Sequence, residues 1–235
     1  MEVQISVAKV NKYATQESGD TVEIVERPGG GLSLVMADGQ SSGRGAKRIS
    51  NMVVRKIVSL LAEGVRDGAA ARAASDYLYN ERQGRVSATL NVVFVDIRKG
   101  TVMATRNNTT PILIAYPGKI DVFDDACLPN GLHHNTRPSI REKPLQNNLI
   151  IVAYTNGLTH AGSRYDQPMQ VMYVFETLLV QSALASQIIA DGLLQHAVNL
   201  DHGHPADDIP VAVVLVLPGN DSDNVRRMTA RLPIH

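Results

Sequence analysis

Short apolar runs of strand length begin or end on aspartate in this chain, and that placement constrains its fold more than any other feature. Ser18-Gly19-Asp20 precedes one run, residues 21–26, and Ala37-Asp38-Gly39 ends the next, residues 32–37. Tyr154-Thr155-Asn156-Gly157 closes a third, residues 149–154, and Asp207-Asp208-Ile209 opens the last, residues 209–217. If the runs are strands whose ends share one sheet edge, their oxygen-rich side chains collect there. Such an edge suits hard divalent cations, which prefer oxygen ligands. Asn156 stands where a site of that kind would want a carboxylate.

Between these runs the hydrophobic period changes. Val3, Ile5 and Val7 alternate with polar residues, as in a half-buried strand. Residues 21–26 and 32–37 are joined by Pro28-Gly29-Gly30-Gly31, a hairpin loop whose glycines are expected at positive φ. No Gly-Lys-Ser/Thr follows, which excludes a P-loop. After Gly45, residues Ile49, Val53, Ile57, Leu60 and Leu61 fall on one helical face, with Lys47, Arg48, Arg55 and Lys56 largely elsewhere. This helix is expected to end near Gly64. A second, alanine-rich helix follows with Asp67 as its N-cap, runs to Tyr79 and stops by Gly84. Its small side chains let the two helices lie close together on a sheet.

Strands resume at residues 87–97, 101–106 and 111–116, the first two joined by the turn Arg98-Lys99-Gly100. Residues 121–148 are polar, rich in Pro and Asn, and yield no element. Residues 171–180 and 182–200 have helical periodicity, with Ile189, Leu193, Ala197 and Leu200 as a stripe. The last strand is nearly continuously apolar, and Pro210 sits near its start, where a missing N–H is tolerable. Hairpin-linked strands interrupted by helix pairs argue for an α+β fold with antiparallel sheets and outer helices, not a doubly wound parallel sheet.

Composition removes several classes. At 235 residues the chain suits a single domain, 1–235, and with 4% aromatics and no Trp its core rests on Val, Ile, Leu, Ala and Met. Zero net charge offers no basic field for a nucleic-acid backbone. No apolar stretch approaches the roughly 20 residues of a membrane span, and the N-terminus carries no charged-then-apolar signal pattern. Cys127 is the sole cysteine, which excludes a disulfide framework and makes the cytoplasm the expected compartment. His133-His134 and His202-Gly203-His204 lack the spacing or cysteine partners of a zinc site and read as surface residues, with His160, His202 and His204 near the rim of the acidic edge. Arg44, Lys47 and Arg48 read as a solvated face. Ser41 and Ser42 lie in no nucleophile elbow.

Taken in order, Glu17-Ser18-Gly19-Asp20, Val35-Met36-Ala37-Asp38-Gly39-Gln40-Ser41-Ser42-Gly43-Arg44-Gly45-Ala46, Tyr154-Thr155-Asn156-Gly157-Leu158-Thr159 and Asp207-Asp208-Ile209-Pro210-Val211 span nearly the whole chain. Together they resemble the motifs of metal-dependent type 2C protein phosphatases. The likeness is nearest to the bacterial branch typified by the sporulation stage II protein E phosphatase. It implies a four-layer αββα sandwich, two antiparallel sheets flanked by helices, with two Mn²⁺ or Mg²⁺ ions at one edge. By motif, Asp20 lies beside the metal pair, Asp38 bridges both ions, the Gly39 carbonyl is a ligand, and Asp207 binds the ion that position 156 should share. Asp38 and Asp20 are then the catalytic pair. The implied activity is hydrolysis of phosphoserine or phosphothreonine in a regulatory phosphoprotein, such as an anti-sigma-factor antagonist, by metal-activated water. Glycine suits position 39 because a side chain would crowd a backbone oxygen that approaches an ion.

The pattern is broken in three places. The family's Tyr-Ser/Thr-Asp-Gly is Tyr154-Thr155-Asn156-Gly157 here; asparagine keeps a carbonyl oxygen but removes one negative charge, so one ion is expected to bind weakly and turnover to slow. Gln40-Ser41-Ser42 replaces the usual apolar residue and glycines, and Pro210 replaces Thr or Ser. These departures keep open a second class, a pseudophosphatase that binds a phosphoprotein or regulatory partner without hydrolysing it.

Overall fold

The computed structural model describes residues 1–181, 184–219, 225–231 and 233. Among these residues the strands are β1 (Glu2–Val10), β2 (Asp20–Glu26), β3 (Leu32–Gly39), β4 (Ala88–Asp96), β5 (Thr101–Asn107), β6 (Ile112–Tyr116), β7 (Lys119–Phe123), β8 (Ser139–Pro144), β9 (Ile150–Tyr154) and β10 (Ile209–Leu217). The helices are α1 (Gly43–Ala62), α2 (Asp67–Arg82), α3 (Asn156–His160), α4 (Val171–Gln181) and α5 (Ser186–Leu200). The strands form two five-stranded antiparallel sheets, ordered β1-β10-β9-β6-β7 and β2-β3-β4-β5-β8. Helices α1 and α2 cover the second sheet and α4 and α5 the first, giving the four-layer α+β sandwich.

The central strand β10 shows why its sequence lacks polar alternation. Ile209, Val211, Val213 and Leu215 face the α4–α5 layer, while Ala212, Val214 and Val216 face the other sheet. A strand buried on both faces reads as one apolar run. Pro210 is harmless because pairing with β9 begins only at Val211. On the opposite side α1 buries Ile49, Val53, Val54, Ile57 and Leu61, and α2 contributes Ala70, Ala71, Ala74 and Leu78 against Val35, Ala37, Leu90 and Val92. The β2–β3 loop does use positive φ, +85, +92 and +96 at Gly29, Gly30 and Gly31. At Gly31 a Cβ would come within 2.2 Å of the Val95 carbonyl, so no other residue fits.

Four expectations need correction. Residues 121–148 contain most of β7 and all of β8, which the pattern hid because both are edge strands. Pro117-Gly118 turns the chain from β6 into β7. In β8, Ser-Ile-Arg-Glu-Lys-Pro alternates half-buried and exposed residues with none fully buried, as sheet edges that resist further pairing do. The N-cap of α2 is Arg66, and Asp67 is already in the first turn. Its carboxylate turns inward to Arg27. A short helix, α3, follows β9 where only a turn was expected. Finally, α5 starts at Ser186; the expected start at Ser182 lies outside the described residues. No helix among the described residues is long and apolar enough to cross a membrane.

Antiparallel pairing sets the geometry of the acidic edge. The start of β2, the end of β3, the end of β9 and the start of β10 all lie at one end of the sandwich, where the two sheets meet.

Candidate metal centre

Register places Asp20 directly opposite Asp38, and their carboxyl groups hydrogen-bond to each other. Asp20 is only 2% exposed and Asp38 is half-buried. Burial, reinforced by the Asp38 charge, pushes Asp20 up to about 9. Burial likewise pushes Asp38 up to about 6; Asp207 and Asp208 repel it further, while the hydrogen bond from Asp20 opposes the rise. At neutral pH the pair therefore holds one proton between two oxygens that could each bind a cation.

Neighbours from both sheets fix this pair. Thr155 Oγ1 donates to Asp20 Oδ2 at 3.0 Å, across the gap between sheets. Lys9 Nζ and Lys47 Nζ both donate to the Asp20 carbonyl, at 2.7 and 2.8 Å. Burial and the nearby Lys47 charge depress the Lys9 ammonium, and Asp20 and Asp208 pull it back up. Ser50 Oγ donates to the Gly19 carbonyl at 2.6 Å. Helix α1 thus grips residues 19–21 with Lys47 and Ser50.

The two aspartates before β10 divide their roles. Asp208 is buried, and its carboxylate accepts Lys12 N–H at 3.0 Å and Gly19 N–H at 2.8 Å. Both oxygens are engaged, so Asp208 ties the 12–19 loop to β10. Among the described residues Asp207 Oδ1 accepts only the N–H of Asp208, at 2.9 Å, and its charge is felt at Asp38. Asp201, 1% exposed, accepts Gly162 and Ala206 N–H groups, both at 2.9 Å, and shapes the loop that delivers Asp207.

Asn156 is the first residue of α3 and is bracketed by two contacts of the site. Thr155 before it touches Asp20, and Gly157 after it is packed so that a Cβ would lie 2.0 Å from the Asp208 carbonyl. Gly39 directly follows Asp38 at the end of β3. A Cβ there would fall 2.1 Å from the Ala46 carbonyl, so the close approach of α1 by itself demands glycine at this position. The five expected residues, Asp20, Asp38, Gly39, Asn156 and Asp207, accordingly gather at one edge.

No three His, Cys, Asp or Glu side chains among the described residues stand in a ready-made ligand arrangement. The donors are nevertheless of one chemical kind: three carboxyls, an amide oxygen and a backbone carbonyl. Carboxyls that retain protons through mutual repulsion and burial need a cation before they can ionise together. An all-oxygen set of this sort fits Mg²⁺ or Mn²⁺ and not a thiolate- or imidazole-seeking metal.

The family model described as "Stage II sporulation protein E (SpoIIE)" matches residues 28–216. The chain belongs to the SpoIIE family. Stage II sporulation protein E of Bacillus subtilis (strain 168) is 19% identical over 218 residues, which cover 91% of this chain and 26% of that protein. This SpoIIE-family chain therefore spans about a quarter of that relative's length. Among solved structures, the PP2C phosphatase domain of B. subtilis SpoIIE, with a fragment of its regulatory domain, superposes with a TM-score of 0.81 at 18% identity, covering 93% of this chain and 64% of that one. Stp1 from Staphylococcus aureus gives 0.73 at 13% identity, covering 93% and 96%. The catalytic domain of the phosphatase PstP, solved with two manganese ions, gives 0.71 at 14%, covering 92% and 99%. The shared fold is that of PP2C-type serine/threonine phosphatases.

Within this SpoIIE-family fold the histidines stay outside the acidic cluster. His202 and His204 are exposed and lie against Tyr165 and Tyr13, with ring centroids 4.2 and 4.3 Å apart. His134 lies against Tyr79 and Asp76. Arg44 is exposed, 3.9 Å from Glu17, and Arg48 is exposed. Lys47 departs from its expected solvated face by turning into the site. The missed signal is its spacing: Lys47, Ser50 and Asn51 are three polar residues at i, i+3 and i+4, which share a helix face. Lys9, Thr155 and Asp201 left no comparable trace, because they contact segments outside their own element.

Proposed function

We propose that this chain is a metal-dependent serine/threonine protein phosphatase that uses Mn²⁺ or Mg²⁺. The observation that carries the reading is the buried Asp20–Asp38 carboxyl pair, with Asp207 beside it, at the sheet edge of a SpoIIE-family sandwich. Asp20, Asp38, Asp207, the Gly39 carbonyl and the Asn156 amide would hold two ions. A pair of such cations acidifies water and offsets phosphoryl charge, which supports direct hydrolysis without a covalent enzyme intermediate. Asp38 supplies the central anion. Asp20 holds or releases the proton of the pair and is oriented by Thr155. Lys9 and Lys47 fix its backbone, and Asp208 fixes the loop before it. With Asn156 the set has one negative charge fewer than a carboxylate would give, so the ion on that side is the weaker. The substrate class is a phosphorylated regulatory protein, such as an anti-sigma-factor antagonist, met in the cytoplasm.

Asn156 also supports the rival reading, a pseudophosphatase that binds a phosphoprotein through the same surface. Hydrolysis of p-nitrophenyl phosphate and a phosphopeptide with and without Mn²⁺ separates the two, run on the native chain, Asn156→Asp and Asp38→Ala. The phosphatase reading expects metal-dependent turnover in the native chain, about tenfold faster in Asn156→Asp and at least about 100-fold slower in Asp38→Ala, in line with losing one oriented charge at a transition state. Turnover confined to Asn156→Asp would establish the rival. Calorimetric Mn²⁺ titration of the same proteins counts the ions.

A further inference from the structure

The far end of the β2–β3–β4–β5–β8 sheet carries a feature the phosphatase reading does not use. Asp20 and Asp38 pair at one end of β2 and Glu26 and Leu32 at the other, six residue steps or about 20 Å away at the rise of a strand. There an open groove of about 880 Å³ lies between the β2–β3, α1–α2 and β4–β5 turns and the outer face of β5 and β8. Arg66, Arg72, Arg98, Lys99 and Arg137 line it. All five are exposed, and none makes an ion pair among the described residues.

The acids in the groove do not neutralise them. Asp67 is bound to the buried Arg27 at 2.9 Å, and Asp96 accepts the backbone N–H groups of Arg98 and Lys99, each at 3.0 Å. Five cations thus face one carboxylate without an ion pair, in a chain whose net charge is zero. Between them the wall is apolar, with Met103 partly buried and Ile140 46% exposed. Phe94 offers no ring face to a nucleobase, since it is 8% exposed and the Arg27 guanidinium lies 4.2 Å from its centroid. Arg27 itself, whose side chain is 7% exposed at the groove wall, is already paired and cannot grip a lone phosphate. Arg66 and Arg72 stand about 9 Å apart along the α2 axis, and the other three cations come from two further segments. Charges spread this way, beside apolar wall, match an extended polyanion with hydrophobic side chains.

We propose that this groove binds an acidic peptide segment of a partner protein, with carboxylates against Arg66, Arg72, Arg98, Lys99 and Arg137 and an apolar side chain on Met103 and Ile140. Its occupancy is independent of metal binding and turnover at the opposite end.

The test is fluorescence anisotropy of a fluorescein-labelled, glutamate-rich peptide carrying leucine, titrated with the full chain in low salt. Saturable binding is expected. It should weaken about tenfold or more in Arg98→Ala/Lys99→Ala and in Arg66→Ala/Arg72→Ala, the scale of losing well-placed charge partners. It should stay within about twofold in Arg55→Ala/Arg85→Ala, which removes the same charge from exposed positions elsewhere. Ile140→Ser should weaken the leucine-bearing peptide more than its all-glutamate counterpart. Thermal melts confirm that each variant is folded. Absence of saturable binding overturns the proposal, as does an equal loss in the Arg55/Arg85 control. Displacement by pyrophosphate or ATP as efficient as by unlabelled peptide also overturns it, in favour of a small-anion site.

Discussion

The two ends of the β2–β3–β4–β5–β8 sheet treat buried charge in opposite ways. At one end Asp20 and Asp38 are like groups set side by side, and both hold protons well above the ordinary carboxylate range. At the other, Arg27 and Asp67 are opposite charges 2.9 Å apart, with side chains 7% and 1% exposed. Arg27 also donates to the Val65 carbonyl at 3.2 Å and Ser33 Oγ at 3.3 Å, joining the β2–β3 turn to the α1–α2 turn. At the Arg27 end the buried carboxylate has its countercharge within the chain, although burial still pushes Asp67 up and its Oδ2 has no hydrogen-bond partner among the described residues. The aspartate end has no such countercharge in contact, and its demand is for a cation. A strained cluster of like charges marks chemistry, whereas a matched buried pair marks architecture.

Breaking the matched pair should produce the largest effect. Arg27→Ala leaves Asp67 buried without a partner, and is expected to remove about 3–5 kcal/mol of stability in urea unfolding while leaving Mn²⁺ affinity unchanged. A loss smaller than about 1 kcal/mol, the scale of a surface pair, would erase the contrast between the two ends.

The like-charged end should respond to pH in the opposite sense from most carboxylates. Folded Asp38 is raised from 3.8 to about 6 and Asp20 to about 9. Between those values and 3.8 the folded chain keeps protons that the unfolded chain has released. Metal-free stability is therefore full below about pH 4 and falls as pH rises through 6 towards 9. The Asp38 part alone is on the order of 3 kcal/mol. Thermal melts from pH 4.5 to 8.5 should show a declining Tm without metal. Mn²⁺ should restore it most at the alkaline end, and Asp38→Asn should flatten the decline. A metal-free Tm that rises with pH would contradict the shared-proton arrangement.

The smallest effect sharpens the division between the two aspartates before β10. Asp208→Asn turns an amide NH₂ towards either Lys12 N–H or Gly19 N–H and loses that one acceptor, which costs about 1–2 kcal/mol. Asp207→Asn, whose side chain has a single backbone contact among the described residues, should barely change stability yet lower Mn²⁺ affinity. Equal stability losses in the two variants would show that their roles are not divided.

Much of this fold is written in local periodicity. The two-residue and 3.6-residue repeats revealed most strands, the α1 and α5 stripes and the alanine face of α2, because each repeat records which side of an element is buried. β7 and β8 escaped because edge strands face water and carry charges, so their residues record no burial. The same limit applied to the site. Asp20, Asp38, Gly39, Asn156 and Asp207 were legible as motif positions at strand ends, but Thr155, Lys9, Lys47 and Asp201 were not. The contacts that give them meaning run between separate elements, from Thr155 to Asp20 across 135 residues and from Lys9 to Asp20 across 11, and only Lys47 left a helix-face trace.

By itself, then, the amino-acid sequence determined most of the elements and the antiparallel α+β class, which follow from short-range pattern and turn chemistry, and it marked the acidic strand ends as motif positions. Only the tertiary structure decided which charges became neighbours: Asp20 against Asp38, Asp208 as a clamp beside Asp207, Lys47 turned inward, and five cations without an ion pair among the described residues around the distal groove. Register and sheet packing set those distances, and electrostatic energy depends on distance and burial, neither of which a one-dimensional pattern contains.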